Sequence, residues 1–195
     1  MALFDALKKN YRQRWQNWLS RRIPRTKEVV LNQRRVFIFL SAHGGMMSLL
    51  LLSLFIAGIN YANNLLLGFC FFLGSLLVIG IHHTFANLSG LKITAVGGGS
   101  AIAGDVVGFT IRLSPTNRRS YYALWLEWGD VSERIDCIDQ SLETTLYLRS
   151  EQRGRFQPPR LKITTFYPLG LLRAWTWLDL DLNAIIYPKP IASDT

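Results

Sequence analysis

The chain has 195 residues and a formal net charge of +9, and 49% of its residues are hydrophobic. Ten of the 22 basic residues lie within positions 1–35 beside only two acidic ones, so the charge belongs to one terminal arm and does not indicate a nucleic-acid-binding domain. One cysteine lies inside an apolar run and the other far from it, which excludes a disulfide framework.

The basic arm, positions 1–35, has apolar and aromatic residues close to a 3.6-residue period over positions 3–23. This pattern predicts an amphipathic helix on a membrane surface, ended by Pro24, with its rings at headgroup level and its basic side chains on anionic lipid. A disordered arm that only orients the chain is the alternative. The candidate membrane-surface residues are Trp15, Trp18, Arg12, Arg14, Arg21 and Arg22.

Positions 36–86 contain no Lys, Arg, Asp or Glu. Two apolar runs, 36–58 and 65–86, each exceed the roughly 20 residues needed to cross a bilayer core. Because only helices satisfy their own backbone in lipid, both runs are predicted as membrane-spanning helices joined by an Asn-rich turn. The small-residue pairs Gly44 with Ser48, and Cys70 with Gly74, predict that the two helices pack on each other.

Basic residues beside a span are retained on the cytoplasmic side, so the arm is expected in the cytoplasm. Two spans return the chain to the same side, which places the segment 87–190 and the tail 191–195 in the cytoplasm as well. A cleaved signal peptide is the competing interpretation. We disfavour it because the charged segment is too long for one and a second span follows.

All three histidines, His43, His82 and His83, lie in this hairpin. An ionisable side chain inside a span indicates a functional site by default, which makes His43 a candidate proton or metal site. We discount that interpretation because histidine can be neutral, because these residues lie towards the inner ends of the spans, and because no matching Cys or carboxylate cluster follows. No metal or other cofactor is expected.

From Leu91 onward the apolar residues alternate with polar ones, as in half-buried strands. The predicted strands, bounded by turn-forming residues, are 91–96, 106–113, 122–128, 142–149, 160–166, 171–178 and 184–187. Short strands with no long helical pattern between them favour a sandwich over a small barrel. The predicted fold class is a two-helix transmembrane hairpin followed by an antiparallel immunoglobulin-like β-sandwich.

Catalytic motifs are not apparent in the β-segment. The glycine run 97–99 lacks the helix and the Lys-Ser/Thr pair of a phosphate loop, so a hairpin turn is predicted there. Asp130, Glu133, Asp136 and Asp139 lack the spacing of a calcium loop and are predicted as a solvated acidic connection. Because this segment has no histidine, Ser-His and Cys-His catalysis would lack a general base, and an enzyme is not expected.

Two tryptophan-rich pieces, 124–128 and 175–177, interrupt the β-segment. Alternation places Trp125 on the face opposite its leucine neighbours and puts Trp175 and Trp177 together on one face. One interpretation is sandwich core with flanking surface. The other is an exposed aromatic stripe that binds another protein or the membrane surface, which makes Trp125, Trp175 and Trp177 the candidate partner-binding residues.

Short motifs occur in a fixed order after the hairpin. They are Asn-Leu-Ser-Gly-Leu at 87–91, Ala-Gly-Asp at 103–105, Arg-Gly-Arg-Phe at 153–156, Tyr-Pro-Leu-Gly-Leu-Leu-Arg at 167–173 and Ile-Tyr-Pro-Lys-Pro at 186–190. In this order they resemble the bacterial membrane-protein family known as domain of unknown function 58. That family usually has Asp-Pro-Phe-Gly-Leu where this chain has Tyr-Pro-Leu-Gly-Leu.

Members of that family continue into a C-terminal half similar to von Willebrand factor A domains, so the resemblance implies a truncated or minimal member. It also implies the bacterial inner membrane and neighbours such as MoxR-type AAA ATPases. We therefore expect a non-enzymatic inner-membrane scaffold whose cytoplasmic sandwich binds an AAA ATPase or neighbouring membrane proteins, and no nucleic acid. The rival hypothesis is a small oligomeric transport or channel subunit that acts through the hairpin, with His43 facing a polar path.

Overall fold

The computed structural model of this chain describes residues 25–32, 35–116 and 119–189. Within those ranges the chain forms two helices and twelve strands. The helices are α1 (Ala42–Asn60) and α2 (Asn64–Ala86). The strands are β1 (Glu28–Val30), β2 (Phe37–Leu40), β3 (Leu91–Gly98), β4 (Ser100–Ile102), β5 (Val106–Pro115), β6 (Tyr121–Trp128), β7 (Val131–Ile138), β8 (Leu142–Arg149), β9 (Gly154–Phe156), β10 (Leu161–Thr165), β11 (Leu172–Leu178) and β12 (Ala184–Tyr187).

A polar cap begins each helix. The Ser41 hydroxyl accepts a hydrogen bond from the Gly44 amide at 3.2 Å, and the Asn63 side chain accepts from the first amides of α2. Such caps satisfy amides that have no partner inside the helix. Both helices are long and apolar enough to cross a membrane, and only 11% of the residues in each apolar window are buried. A core helix of a soluble domain would be mostly buried.

The two helices contact each other through small residues. A Cβ added to Gly58 would lie 2.8 Å from the Leu67 side chain, and the Cys70 thiol donates to the Leu51 carbonyl at 3.4 Å. Gly44, which the sequence predicts at the helix–helix contact, packs instead against the backbone of Leu171 in the β-region. That part of the prediction is wrong, because the sheet lies against this end of α1.

Helix α1 begins six residues after the predicted start of the span at position 36. The reason is that β2 occupies Phe37–Leu40 and pairs with β11. Strand β1 lies inside the predicted basic arm and pairs with β3. The β-region therefore includes residues that precede the hairpin, whereas the predicted sandwich begins at position 87. A short apolar strand that adjoins an apolar helix has no periodicity of its own to reveal it.

The strands form three sheets. Their orders are β1-β3-β5-β8, β2-β11-β10-β6-β7 and β4-β12-β9. Among the named strands of the described ranges, only β4 and β12 pair in parallel. The prediction of two apolar helices followed by a mainly antiparallel β-region is confirmed.

One hydrophobic core is shared by the two larger sheets, in the manner of a sandwich. The Trp128 ring of β6 lies 5.6 Å from the Phe109 ring of β5, and the Trp128 indole N–H donates to the Pro159 carbonyl. Burial of such side chains is the main term that stabilises the fold. The largest fully buried side chains are Leu31, Leu88, Leu91, Ile93, Phe109, Ile111, Leu113, Tyr121, Leu124, Leu126, Trp128 and Ile138.

Two sequence predictions within the β-region are wrong. Most of the predicted acidic connection is strand β7, in which Ile135 and Ile138 are buried and Arg134 and Asp136 are exposed. The predicted hairpin turn at 97–99 instead connects two different sheets, because β4 pairs with β12 and not with β3. A Cβ on Gly98 would overlap the Asn183 carbonyl oxygen, so close approach of two backbones requires glycine there.

Candidate functional site on the five-stranded sheet

The three candidate partner-binding tryptophans lie on the outer face of the five-stranded sheet. In β6, Leu124 and Leu126 are buried and Trp125 between them is half-buried on the opposite face. In β11 the same alternation leaves Trp175 half-buried and Trp177 37% exposed. The predicted facing of these side chains agrees with the observed burial. Their role in binding stays a prediction.

Strand register brings Trp125, Trp175 and Phe37 into one row, and Trp177 lies in the next row on the same face. Thr164 of β10 lies opposite Trp125 on one side and opposite Trp175 on the other. Phe37 of β2 lies opposite Trp175, and the two rings stack with their centroids 6.1 Å apart. Directly opposed residues on neighbouring strands pack side by side. We call Phe37, Trp125, Trp175 and Trp177 the aromatic face.

Basic side chains lie over the rings of the aromatic face. The distances from positive group to ring centroid are 5.6 Å for Arg134 over Trp125, 5.5 Å for Arg173 over Trp175 and 5.8 Å for Lys162 over Trp177. At these distances a cation is attracted to the ring by about 0.5–1 kcal/mol when exposed. Large rings combined with arginine are the composition that dominates the energetics of protein interfaces.

Among the residues that the structure describes, two of these cations have a carboxylate partner and the third has none. Arg134 pairs with Asp136 at 2.9 Å, and Lys162 pairs with Glu127 at 2.5 Å. Within the ranges that the structure covers, Arg173 has neither a carboxylate nor a hydrogen-bond partner, and its Nε atom is buried. A buried donor without an acceptor costs about 1–3 kcal/mol, and more when it is charged. The aromatic face therefore carries one uncompensated positive charge.

Asn87 joins helix α2 to the five-stranded sheet. Its amide nitrogen donates to the Tyr122 carbonyl at 2.7 Å and to the Thr165 hydroxyl at 2.9 Å. Its amide oxygen accepts from the Tyr122 amide at 2.8 Å. The buried Asn87 side chain thus makes the two hydrogen bonds to the Tyr122 backbone that a residue of a neighbouring strand would make. Because Asn87 directly follows α2, this helix is bound to the sheet without a flexible linker.

A second joint binds α1 to the same sheet. The Ser41 amide donates to the Leu171 carbonyl at 2.9 Å, and the Ser41 hydroxyl donates to the Gly170 carbonyl. Gly44, one turn into α1, lies against the Leu171 carbonyl and leaves no room for a Cβ. Both helices therefore meet the five-stranded sheet through short polar contacts, at the same end of the hairpin.

The other sequence candidates do not assemble into a site in the described part of the chain. His43, His82 and His83 are exposed on the helix surfaces, and no group of three or more His, Cys, Asp or Glu in these ranges could hold a metal ion. An open apolar cleft of about 580 Å³ lies between β2 and α2, lined by Val36, Ile38, Val78, Ile81, His82 and Phe85. The predicted membrane-surface residues Trp15, Trp18, Arg12, Arg14, Arg21 and Arg22 lie outside the described residues.

The acidic residues at β7 have separate partners. Glu133 accepts a hydrogen bond from Thr144 at 2.9 Å, whereas Asp139 accepts from the Cys137 thiol at 3.2 Å. Hydrogen bonds from Ser120 and Cys137 lower the pKa of Asp139. The bond to Asp139, followed by burial and by the charge of that carboxylate, raises the pKa of Cys137. A thiol with a raised pKa is a poor nucleophile at neutral pH, so Cys137 is exposed but not activated.

Sequence reasoning missed Phe37, Arg173 and Asn87. Phe37 falls inside the apolar run, where composition predicts a helix. Arg173 had a usable signal, because strict alternation from Trp177 and Trp175 puts it on the same face. No sequence signal indicated Asn87, because the backbone that its side chain binds, at Tyr122, is distant in the chain.

No family model, no curated protein and no solved structure matches this chain. Its function is therefore argued from the geometry of the aromatic face and the two joints.

Proposed function

We propose that this protein is a non-enzymatic, membrane-anchored scaffold that binds a protein partner through the aromatic face. The observation that carries the proposal is the combination of that face with the rigid joints at Asn87 and Ser41. Rings and cations on a sheet that is fixed to a hairpin suit a surface that must meet its partner at a defined height above the membrane.

Membrane anchoring is supported by the length and the exposure of the helices. Helix α1 has 19 residues, and at 1.5 Å per residue it extends about 28 Å, close to the thickness of the hydrocarbon core. Both joints lie at the same end of the hairpin, so the sandwich stands on one side of the membrane. The basic arm favours the cytoplasmic side of a bacterial inner membrane, with both termini in the cytoplasm.

An immunoglobulin-like fold is supported by the strand order. Strands β3-β5-β8 correspond to strands A, B and E of that fold, and β11-β10-β6-β7 correspond to G, F, C and C′. The buried Trp128 on β6 resembles the core tryptophan of strand C. We extend the proposal to this architecture.

The order of motifs supports the resemblance to the family of domain of unknown function 58. On that basis we propose a MoxR-type AAA ATPase, or a neighbouring membrane protein, as the partner. The rival transport function has less support, because His43 is exposed and belongs to no cluster of ionisable or metal-binding side chains among the described residues.

Labelling of Cys137 tests the orientation. Cys137 is exposed and Cys70 is buried in α2, so a membrane-impermeant maleimide applied to cells with a permeabilised outer membrane should leave the protein unlabelled. Opening the inner membrane should then label Cys137, at mildly alkaline pH because its pKa is raised. Cys137→Ser is the control for residual labelling of Cys70. Labelling before the inner membrane is opened would place the sandwich outside.

Photo-crosslinking tests the aromatic face. With p-benzoyl-phenylalanine in place of Trp177, we expect crosslinks in membranes to one discrete protein, whereas the same replacement at Tyr147, which is 59% exposed on the other large sheet, should give none. Adding Trp125→Ala should lower the yield at position 177 by about tenfold or more, as for an interface anchor. Equal yields at the two positions, or an unchanged yield in the alanine variant, would contradict the proposal.

A further inference from the structure

We infer that Arg173 binds the phosphate group of an anionic phospholipid at the foot of the sandwich. The inference goes beyond the proposed scaffold function and rests on its membrane anchoring. The site consists of the Arg173 guanidinium, the Phe166 and Trp175 rings beside it, and the exposed apolar residues at the same end of the sheet.

The surroundings of Arg173 hold the guanidinium in place but leave its charge unmatched. Its guanidinium carbon lies 5.8 Å from the Phe166 ring and 5.5 Å from the Trp175 ring. Its Nε atom is buried and has no acceptor among the described residues. Planar guanidinium groups pair with phosphate oxygens through several donors at once. A phosphate would therefore supply the acceptors that the described part of the chain does not.

Strand register places this charge at the level of lipid headgroups. Arg173 lies opposite Phe39 of β2, and Phe39 is two residues before Ser41, the cap of α1. Two residues of extended strand span about 7 Å. Headgroup regions add roughly 5–8 Å to each side of the hydrocarbon core. With α1 in the bilayer, Arg173 meets the layer in which the phosphates lie.

Exposed apolar side chains lie at the same depth as Arg173, near the end of the sheet that adjoins the hairpin. Phe39 is 68% exposed and Leu169 is 57% exposed. A Cβ added to Gly80, two turns from the end of α2, would lie 4.0 Å from the Leu169 side chain, so Leu169 reaches down beside the helix. Apolar and aromatic residues at this depth enter the boundary between headgroups and acyl chains. They indicate lipid as the occupant, because a soluble anion would gain nothing from them.

Arg173 lies at the end of the aromatic face nearest the hairpin, beside Trp175. Trp177 and Lys162 lie four and eleven residues from Arg173 in sequence, and they pair with each other two rows farther from the hairpin on the same face. Lys162 is neutralised by Glu127, and Arg134 by Asp136. Arg173 is therefore the cation of this face that remains available to an anionic headgroup, within the residues that the structure covers.

Native mass spectrometry of the full chain tests the site. The protein is reconstituted in nanodiscs of phosphatidylcholine with one-quarter phosphatidylglycerol, and the phosphatidylglycerol that it retains on release is counted. Arg173→Gln should lower retention by about fivefold, the effect of one arginine at an anionic surface. Arg134→Gln, which removes a cation from the same sheet, is the matched control and should change retention by less than about twofold.

Further variants and a phosphate competition distinguish a guanidinium–phosphate contact from a general effect of surface charge and from binding of a soluble anion. Arg173→Lys keeps the charge but loses the planar donors, so intermediate retention is expected; retention equal to that of Arg173→Gln or of the wild type would overturn a guanidinium–phosphate contact. Displacement of the lipid by excess inorganic phosphate would overturn lipid as the occupant. Equal losses in Arg173→Gln and Arg134→Gln would reduce the effect to general surface charge and overturn the site.

The proposed function and this site fail in different ways. If the protein does not enter nanodiscs, the anchoring fails and both proposals fall. If it enters them without retaining phosphatidylglycerol through Arg173, only the lipid site falls, and crosslinking at position 177 is unaffected. The thermal unfolding of Arg173→Gln is compared with that of the wild type, so that lost retention is not mistaken for lost folding.

Discussion

Asn87→Ala is expected to lower the free energy of unfolding of the sandwich by about 2–4 kcal/mol. The substitution removes both atoms that bind the Tyr122 backbone and the donor to Thr165. Asn87 is only 5% exposed, so bulk water does not replace these bonds. Each buried polar group left without a partner costs about 1–3 kcal/mol. The Tyr122 amide is one such group, and the Tyr122 carbonyl keeps only the longer bond from the Thr165 hydroxyl at 3.4 Å.

Two further variants make this test specific. Asn87→Asp has nearly the same shape but replaces the donating nitrogen by an oxygen that faces the Tyr122 carbonyl, so it should destabilise at least as strongly. Asn32→Ala, at an exposed position before the hairpin, should change stability by less than about 0.5 kcal/mol. The measurement is denaturant unfolding of the full chain in detergent, followed by tryptophan fluorescence. Coincident transitions for Asn87→Ala and Asn32→Ala would show that the joint contributes nothing.

Gly44→Ala is expected to loosen the contact between α1 and the sheet, at a cost of about 1–3 kcal/mol. The new Cβ would overlap the Leu171 carbonyl oxygen, which is backbone and cannot rotate away as a side chain does. Helix α1 must therefore move from the sheet, and the Ser41 bonds to Gly170 and Leu171 must lengthen. The gain in helix propensity from alanine, about 0.5–1 kcal/mol, does not offset this overlap.

Gly45→Ala is the matched control for this prediction. A Cβ at Gly45 meets nothing within 4 Å, so the substitution should be neutral or slightly stabilising. Spin labels at Cys137 and at Tyr61→Cys, in a Cys70→Ser background, report the distance between the sandwich and the hairpin turn. That distance distribution should broaden in Gly44→Ala and stay narrow in Gly45→Ala. The same narrow distribution in both variants would refute a rigid joint at α1.

Local patterns predicted the elements whose physical cause is local. The absence of charge over 36–86 predicts two helices, because a helix satisfies its own backbone hydrogen bonds in lipid. Helix α2 begins within one residue of the predicted position. Alternation predicts the facing of Trp125, Trp175 and Trp177 because successive side chains of any strand point to opposite faces. Both rules act over a few residues and need no knowledge of the partner strand.

Elements that depend on a distant partner were missed. Phe37–Leu40 is a strand because β11 supplies its hydrogen bonds, although the sequence continues without a break into an apolar helix. Strand β7 was missed because its acidic residues read as a loop, while Ile135 and Ile138 keep one side of it in the core. The glycine run at 97–99 was assigned to the wrong structure for the same reason, since the backbone that it approaches is that of Asn183.

By itself the sequence determined that this chain has an apolar two-helix hairpin and a β-region with outward-facing tryptophans, because periodicity and composition are local properties. Only the tertiary structure decided that the β-region takes strands from both sides of the hairpin and that Asn87 and Ser41 bind the helices to the sheet. It also decided that Arg173 lacks a counter-charge among the described residues. Those features arise from register and from contacts between segments far apart in the chain. No pattern within one segment encodes them.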